Sequence, residues 1–406
     1  MKISLAHAGL RQKDLDAAMS VLRSGNLTMG DQVKKFEQTM ARYLGTKNFV
    51  MVNSGSSANL ALIEGLLRPS IGNPLLSPGD GILVPAIAWP TTIWPLVQLG
   101  LVPHFIDVDK TNLRLDLGAA QRYLQSTSSS IKAMFVIHPL GYGAHQKELQ
   151  LFAEKNSLLL LNDVCETLGA FDEGIHAGTL GTAATFSFYY SHHITTIEGG
   201  GIATNSNSLA DDLRSIRSHG WARDRTDSNK WELGSLPSDA KFKFVSTGFN
   251  IRPLEIQATI GISQMEDIEF FLSIRRRNAK YFYESVKGSH HLTLIGNEVF
   301  SSPEIENSHS WMMFPIVLNS DAPKLRNEVV AKLNKEGIET RPMLSGNFLE
   351  QHASKKIFTN LATDLKFSSA DFLSANGFLI GNSHNRTLEE LNYLSKLLLD
   401  IASGNQ

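Results

Sequence analysis

The sequence contains a single cysteine, Cys165, among its 406 residues. One thiol excludes a disulfide within the chain, and it excludes an iron–sulfur cluster held by several cysteines of this chain. There is no run of about 18 or more apolar residues, so no membrane-spanning helix is expected. The N-terminal segment MKISLAHAGLRQKD lacks the apolar core of a secretory signal. These absences predict a cytoplasmic protein.

An excess of charge of one sign is also lacking. The chain has 38 Lys and Arg against 40 Asp and Glu, a formal net charge of −2, without a long run of like charge. Nothing in this balance favours a nucleic-acid or membrane partner. The hydrophobic fraction of 42% is that of an ordinary globular protein. The length predicts two or three domains.

Short apolar runs alternate with helical patterns between about Lys47 and Asn205. This alternation predicts an α/β fold with a mostly parallel, seven-stranded sheet and helices on both faces. The predicted strands are NFVMVNSG, GILVPAIAW, VPHFIDVD, IKAMFVIHPLG, SLLLLNDV, TAATFSFYY and GGIATN.

The C-terminal part has a different pattern. A polar stretch from about Trp221 to Ser246 is too long for a simple connector, which indicates a functional loop or lid. A long helical segment begins near Pro253, and a strand (FPIVL) and two further helices follow it. We therefore predict a large domain over residues 1–252, then a linking helix and a small α/β domain over residues 253–406.

Two motifs end predicted strands with polar residues. The turn NSGSSAN (53–59) offers hydroxyls, backbone N–H groups and a helix N-terminus, which together favour a phosphate, although serine is also an ordinary helix cap. Asp163 ends the run SLLLLND, where open α/β sheets place ligands. It could pair with a pyridine nitrogen and keep that ring protonated, or it could simply cap the next turn.

Two further motifs carry aromatic and basic groups. Ser187, His192 and His193 lie in FSFYYSHHITTIEGGG, which is either part of a site or a surface loop. Adjacent histidines are poor joint metal ligands, and the chain has no HxxxH or CxxC partner, so we expect no metal. Trp89, in VPAIAWPTT, could stack on a planar ring or pack at the edge of the core.

The order and spacing of these motifs resemble the DegT/StrS-type sugar aminotransferases, which are fold type I pyridoxal phosphate (PLP) enzymes. The resemblance runs from about residue 20 to the C-terminus. It is carried by SGNLTMGDQVKKFEQTMARYLGTKNFVMVNSGSSANLAL, LLNDVCETLGA, TFSFYYSHHITTIEGGGIAT and GFNIRPLEIQATIGISQMEDIEFFLSIRRRNAKYF.

The resemblance implies a role for each matching residue. Ser56, Ser57 and Ser187 would hold the cofactor phosphate. Asp163 would pair with the ring nitrogen, Glu166 would lie near the phenolic oxygen, and Trp89 would stack on the ring. Asn250 would reach the phosphate of the neighbouring subunit, which implies a homodimer with shared active sites. Residues assigned to substrate binding are His219, Arg223 and Arg341, in SHGWARD and RPMLSGNFL.

One departure from the family pattern is decisive for the chemistry. The family's lysine lies five residues after the motif serine, and His192 occupies that position. No lysine occurs between Lys155 and Lys230, so none nearby can replace it. Imidazole has no primary amine and cannot form a Schiff base with the cofactor. An ordinary aminotransferase cycle is therefore excluded.

The branch of the family with histidine here comprises sugar 3-dehydratases, and the strongest resemblance is to those acting on GDP-4-keto-6-deoxymannose. The related type that adds an iron–sulfur cluster needs several cysteines and is excluded. The resemblance implies untethered pyridoxamine phosphate (PMP), a nucleotide-linked 4-keto-6-deoxy sugar that loses its 3-hydroxyl, and L-glutamate to regenerate PMP. With an ordinary pKa of about 6.5, His192 could accept and return the proton.

Two other functions stay open at this point. The chain could be a sugar 4-aminotransferase that keeps its activity without the family's lysine, which would yield an amino sugar rather than a deoxy sugar and ammonia. It could also be a catalytically silent PLP-fold protein, because fold alone does not fix function. Retention of Asp163 and Ser187 argues against a silent site. The residues themselves do not identify the nucleotide or the sugar stereochemistry.

Overall fold

The computed structural model of the chain describes residues 2–6, 9–232, 239, 242–358 and 366–404. Its centre is a seven-stranded sheet with the strand order β1-β9-β8-β5-β4-β2-β3. The strands are β1 (Asn48–Val52), β2 (Gly81–Pro85), β3 (Val102–Ile106), β4 (Ile131–Ile137), β5 (Leu159–Asp163), β8 (Ala183–Ser187) and β9 (Gly200–Thr204). Strand β9 is antiparallel to both of its neighbours, and the other neighbouring pairs are parallel. The predicted sheet is confirmed.

Both faces of this sheet are covered, which explains why its strands are apolar without alternation. On β1, Val50 and Val52 belong to one buried cluster, with residues of helix α3 (Gly55–Leu67). Their neighbours Phe49 and Met51 belong to another buried cluster, with residues of helix α2 (Asp31–Leu44). Successive side chains of a strand point to opposite faces, so helices lie on both sides of the sheet.

The remaining helices precede, connect or follow the strands. Those before residue 252 are α1 (Gln12–Ser24), α4 (Pro90–Gln98), α5 (Leu117–Ser126), α6 (Gln146–Lys155), α7 (Asn207–Ile216) and α8 (Asn229–Glu232). Those after it are α9 (Glu255–Met265), α10 (Ile268–Val286), α11 (Arg326–Lys335), α12 (His352–Ile357), α13 (Ser368–Asn376) and α14 (Leu388–Ala402). No helix in the described ranges is long and apolar enough to cross a membrane.

A second, antiparallel sheet lies in the C-terminal part, with the order β10-β11-β13-β12. Its strands are β10 (Leu292–Leu294), β11 (Met313–Leu318), β12 (Thr340–Pro342) and β13 (Gly377–Gly381). Between the two sheets along the chain, β6 (Phe171–Asp172) pairs with β7 (Ile175–His176) as a short hairpin. The predicted domain boundary at residues 252 and 253 stays a prediction.

Two segments refine the sequence-based expectations. The long helical segment after Pro253 is two helices, α9 and α10, and Asp267 between them has a non-helical backbone while its carboxylate pairs with Arg11 and Lys13. The polar stretch of residues 221–246 returns on itself, because Ala222 N–H donates to the Lys243 carbonyl. Residues 233–238, 240 and 241 of that predicted lid lie outside the described residues.

Candidate active site

A cavity of about 470 Å³ opens at the carboxyl ends of the parallel strands of the large sheet. These ends share one edge, and such edges are where open α/β sheets bind ligands. Most of the residues singled out in the sequence meet in this cavity. The predicted site residues that line it are Ser56, Trp89, Asp163, Glu166, Ser187, His192 and Arg341.

The N-terminus of helix α3 forms one wall of the cavity. Ser54 caps the helix, with its Oγ accepting a hydrogen bond from Ser57 N–H at 3.1 Å. The helix begins at Gly55, where an added Cβ would lie 2.6 Å from Cβ of Ser187 and 3.0 Å from Sγ of Cys165. Glycine at this position therefore lets β8 and its serine approach the helix terminus closely. A helix N-terminus beside two hydroxyls is suited to a phosphate.

The two predicted phosphate serines lie differently. Ser56 is exposed and lines the cavity. Ser57 is not part of the lining, and its Oγ accepts a hydrogen bond from the Ser54 hydroxyl at 3.0 Å. Ser54, which the sequence analysis did not single out, lines the cavity instead. Within this chain Ser57 thus acts in the helix cap, and its contact with phosphate stays a prediction.

Asp163 ends β5 and is buried at the floor of the cavity. Its Oδ2 accepts hydrogen bonds from Asn59 Nδ2 at 2.9 Å and from the Thr92 hydroxyl at 2.7 Å. Its Oδ1 accepts from Cys165 N–H at 3.1 Å. These donors fix the orientation of the carboxylate, which could then accept a hydrogen bond from a protonated ring nitrogen.

His192 lies in the turn after β8, and its ring is fixed by the backbone. Nδ1 lies 3.1 Å from the carbonyl oxygen of Ser187. A carbonyl only accepts, so Nδ1 carries the proton and the lone pair is left on Nε2. Burial lowers the pKa of His192 to about 4, so the imidazole is neutral near pH 7. No lysine among the described residues lines the cavity.

Glu166 and Arg341 both line the cavity and are neighbours there. The closest approach, from Arg341 Nη2 to Glu166 Oε1, is 3.8 Å. Glu166 also accepts a hydrogen bond from Leu140 N–H at 3.0 Å. Burial raises the pKa of Glu166, while the Arg341 charge and the Leu140 N–H oppose that rise. The Arg341 guanidinium lies 5.6 Å from the ring centre of Trp89, within the range of a cation–π contact.

Besides Ser57, three predicted site residues lie outside the cavity in this chain. His219 and Asn250 are exposed, and His219 packs edge-on to Trp221 with ring centres 5.6 Å apart. Arg223 lines a different cavity, where its guanidinium lies 5.0 Å from the Trp221 ring. This chain does not bring these three residues to its own cavity, so their roles in phosphate and substrate binding stay predictions.

Several residues that line the cavity or contact Asp163 were not singled out from the sequence. Thr92 lies in the quoted motif VPAIAWPTT, and Asn59 lies one helical turn after Ser56, a spacing that places both on the same side of α3. Helical periodicity applied to the turn motif could have found Asn59. Cys165 also lines the cavity, and burial raises the pKa of its thiol well above its usual value, so it is protonated. In the described part of the chain, no cluster of His, Cys, Asp or Glu is suited to a metal ion.

The fold and the cavity together define a class. An anion-binding helix terminus, a buried carboxylate at a strand end and an indole beside them fit a pyridoxal-type cofactor. The architecture, a mostly parallel seven-stranded sheet followed by a small antiparallel sheet, is that of the fold type I PLP enzymes. The sequence-based fold class is therefore confirmed.

Comparison with known proteins gives the family. Residues 9–396 match the model of the DegT/DnrJ/EryC1/StrS aminotransferase family, and the chain belongs to that family. A GDP-4-keto-6-deoxy-D-mannose 3-dehydratase of Escherichia coli O55:H7 is 37% identical over 386 residues, covering 94% of this chain and 95% of that protein.

Two solved structures of GDP-4-keto-6-deoxymannose 3-dehydratase are similar to this chain throughout. A histidine-to-asparagine variant with bound GDP-perosamine is 35% identical with a TM-score of 0.89, over 98% of this chain and 100% of that chain. A form with a trapped PLP-glutamate geminal diamine is also 35% identical, with a TM-score of 0.87 over the same shares of the two chains. The resemblance inferred from the motifs is confirmed.

Proposed function

We propose that this chain is a PMP/PLP-dependent 3-dehydratase of a nucleotide-linked 4-keto-6-deoxy sugar, with GDP-4-keto-6-deoxymannose as the substrate. The products are the 3-deoxy-4-keto sugar nucleotide and ammonia, in a route to deoxysugars such as those of lipopolysaccharide O-antigens. One observation carries the proposal. His192 lines a cavity whose other residues suit the cofactor, and no lysine of the described chain lines that cavity.

The residues present fit the cofactor. The terminus of α3 with Ser56, together with Ser187, would hold its phosphate, and Asp163 would hold the ring nitrogen. Trp89 would cover the ring, and Glu166 would lie near the phenolic oxygen. When bound, PMP supplies a primary amine for the sugar ketone and a ring that accepts an electron pair.

His192 moves the proton. Because Ser187 holds Nδ1–H, the lone pair on Nε2 is the base, and the lowered pKa keeps it unprotonated in the free enzyme near pH 7. After accepting a proton, the imidazolium donates it to the departing 3-hydroxyl. A positioned acid–base group of this kind contributes about 10²–10⁴-fold. A lysine could accept the proton too, but its amine would capture the cofactor and favour transamination.

Arg341 gives the cavity a positive charge for its anionic reactants. L-glutamate, the proposed amino donor that regenerates PMP, carries two carboxylates, and a guanidinium binds carboxylates through paired hydrogen bonds. The closest approach of Arg341 to Glu166 is 3.8 Å, beyond hydrogen-bond distance, so this carboxylate does not compete with a ligand for a hydrogen bond. The relative with trapped PLP-glutamate supports glutamate as the donor.

The remaining parts of the proposal concern assembly and substrate. We propose a cytoplasmic homodimer in which Asn250 reaches the partner's cofactor phosphate, and His219 and Arg223 contact substrate. Their exposure outside this chain's own cavity is compatible with a shared site. GDP as the nucleotide is supported by the relatives, one of which binds GDP-perosamine.

The direct test uses the purified protein with PMP, L-glutamate and a panel of GDP-, CDP- and dTDP-linked 4-keto-6-deoxy sugars. We expect ammonia release and a product lacking the 3-hydroxyl, with GDP-4-keto-6-deoxymannose turned over fastest. A product with the mass of an amino sugar would instead identify a 4-aminotransferase. Absence of turnover with every sugar, despite PMP binding, would identify a silent protein.

A further inference from the structure

Beneath the cavity floor lies a buried polar network that the proposed reaction does not yet use. Asn59, Thr92 and Thr185 are fully buried, and they come from α3, α4 and β8 respectively. Asn59 and Thr92 donate hydrogen bonds to Asp163, and Thr185 donates one to Asn59. Buried polar groups of this kind are stable only when their hydrogen bonds are satisfied, so their arrangement is informative.

The orientation of the Asn59 amide follows from its neighbours. Its Nδ2 donates to Asp163 Oδ2 at 2.9 Å and to the Thr91 carbonyl oxygen at 3.1 Å. A carboxylate and a carbonyl can only accept, so the amide NH₂ must face them. The amide oxygen therefore faces Thr185, whose hydroxyl donates to it at 2.6 Å.

The donors are distributed unequally between the two carboxylate oxygens. Oδ2 accepts from both Asn59 and Thr92, whereas Oδ1 accepts from Cys165 N–H. The Cys165 thiol also contacts this carboxylate. Two charge-assisted donors hold Oδ2 from the side of the helices. Oδ1 thus keeps an open acceptor position.

We infer that Asn59 and Thr92 are positioning residues that saturate Oδ2 of Asp163, so that Oδ1 would be left to hold the cofactor's ring nitrogen and the shared proton would stay on the ring. This inference rests on the proposed cofactor site. Each donor stabilises the anionic carboxylate, and its loss lets the proton move from the ring nitrogen towards Asp163. A less protonated ring is a weaker electron acceptor, so turnover falls while the phosphate contacts still hold the cofactor.

The test compares Thr92→Val, which removes the hydroxyl at nearly constant shape, with Thr92→Ser, which keeps it. Thr204→Val is the matched control, since Thr204 is buried on β9 and its hydroxyl bonds only to backbone groups, the Thr182 carbonyl oxygen and Ser206 N–H. The readouts are the ¹⁵N chemical shift of the ring nitrogen in bound labelled PMP, the PMP dissociation constant and kcat.

We expect Thr92→Val to move the ¹⁵N signal towards the unprotonated value and to lower kcat about tenfold to a hundredfold, as for the loss of one hydrogen bond to a charged group. PMP affinity should change much less, and Thr92→Ser and Thr204→Val should keep the wild-type signal. Asn59→Leu should give the same direction as Thr92→Val. If Asn59→Leu does not fold, the comparison of Thr92→Val with Thr92→Ser still tests the inference.

Three results would overturn the inference, and they are distinguishable. A wild-type ¹⁵N signal in Thr92→Val with PMP bound would show that the network does not control the ring, while the proposed function would stand. Failure of the wild-type protein to bind PMP would remove the proposed function and this assignment together. A loss of kcat in Thr92→Val that is equalled in Thr92→Ser would reduce Thr92 to a packing role.

Discussion

Arg341 and Glu166 approach each other to 3.8 Å although 175 positions separate them in the chain. Arg341 belongs to strand β12 of the small sheet, and Glu166 follows strand β5 of the large sheet. The wall of the cavity is therefore built from both sheets. Arg341 lines the cavity beside Glu166 and Trp89, so this small-sheet cation is well placed to bind an anionic reactant.

Arg341→Met tests this arrangement. It removes the guanidinium and keeps the apolar stem, so the KM for L-glutamate should rise about tenfold to a hundredfold, as for a lost charge-assisted hydrogen bond. PMP affinity should change less. Arg277→Met, at an exposed position of α10, is the control and should behave as wild type. Unchanged KM values for both glutamate and the sugar nucleotide would contradict the role.

His192→Asn removes the base while keeping a polar side chain of smaller size. We expect loss of dehydration by about 10²–10⁴-fold, with PMP binding largely intact, because the phosphate and ring contacts involve other residues. The control is His145→Asn, since His145 is exposed and its φ of 61° is one that asparagine tolerates. Dehydration at the wild-type rate in His192→Asn would refute the proton-transfer role.

His192→Lys introduces a primary amine at the position where the rest of the family has its lysine. The substituted side chain should capture PLP covalently, detected as a new absorbance band and, after borohydride reduction, as a mass increase on the peptide containing position 192. Dehydration should fall, because the untethered cofactor is depleted. If PLP binds without any covalent link, the position of residue 192 relative to the cofactor has been assigned wrongly.

Gly55→Ala tests the close approach of α3 to β8. The new methyl group would lie 2.6 Å from Cβ of Ser187, so the serine or the helix terminus must shift. Overpacking of this kind costs roughly 1–3 kcal/mol and should weaken PMP binding. Gly288→Ala is the matched control, with nothing within 4 Å of its added Cβ. Equal PMP affinity in both variants would show that the approach is not needed for the phosphate.

Acid should destabilise the protein through its buried histidines. Burial lowers the pKa of His176 and of His138 to about 4 each. His176 is held neutral, because Nε2 accepts from Gly169 N–H at 2.8 Å while Nδ1 donates to the Ala177 carbonyl oxygen at 2.9 Å. As the pH falls below about 6.5, the unfolded chain binds protons that the folded chain does not, so the free energy of unfolding decreases.

The decrease should be complete near pH 4 and should amount to at most roughly 3 kcal/mol per histidine. It is measured as the thermal midpoint at a series of pH values from 7.5 to about 4.5. In His176→Asn the midpoint should start lower and fall less steeply with acid. An equally steep fall in that variant would show that His176 does not contribute.

Much of the fold was predictable because its signals are local. The seven apolar runs became the seven strands of the large sheet, since burial on both faces requires residues that are apolar without alternation. The break at Asp267 was not predicted, because the helical pattern runs through it and the ion pairs that fix the turn come from Arg11 and Lys13. Contacts so distant along the chain leave no local pattern.

Some residues of the candidate site could likewise be predicted from local motifs, and others could not. Ser56, Trp89, Asp163, Ser187 and His192 were found from motifs at strand ends, and parallel strands bring such ends to one edge. Asn59 and Thr92 were missed because their role depends on which way a buried side chain points. His219, Arg223 and Asn250 were placed by resemblance alone, and this chain does not bring them to its own cavity.

By itself, the sequence determined the fold class and one chemical exclusion. Residue 192 has no primary amine, and no lysine lies between Lys155 and Lys230, whatever the fold. Only the tertiary structure decided that the His192 lone pair is on Nε2, that Arg341 meets Glu166, and that two donors hold Oδ2 of Asp163. Residue type fixes which bonds a side chain can form, whereas protonation, tautomer and partner depend on burial and on neighbours distant in the chain.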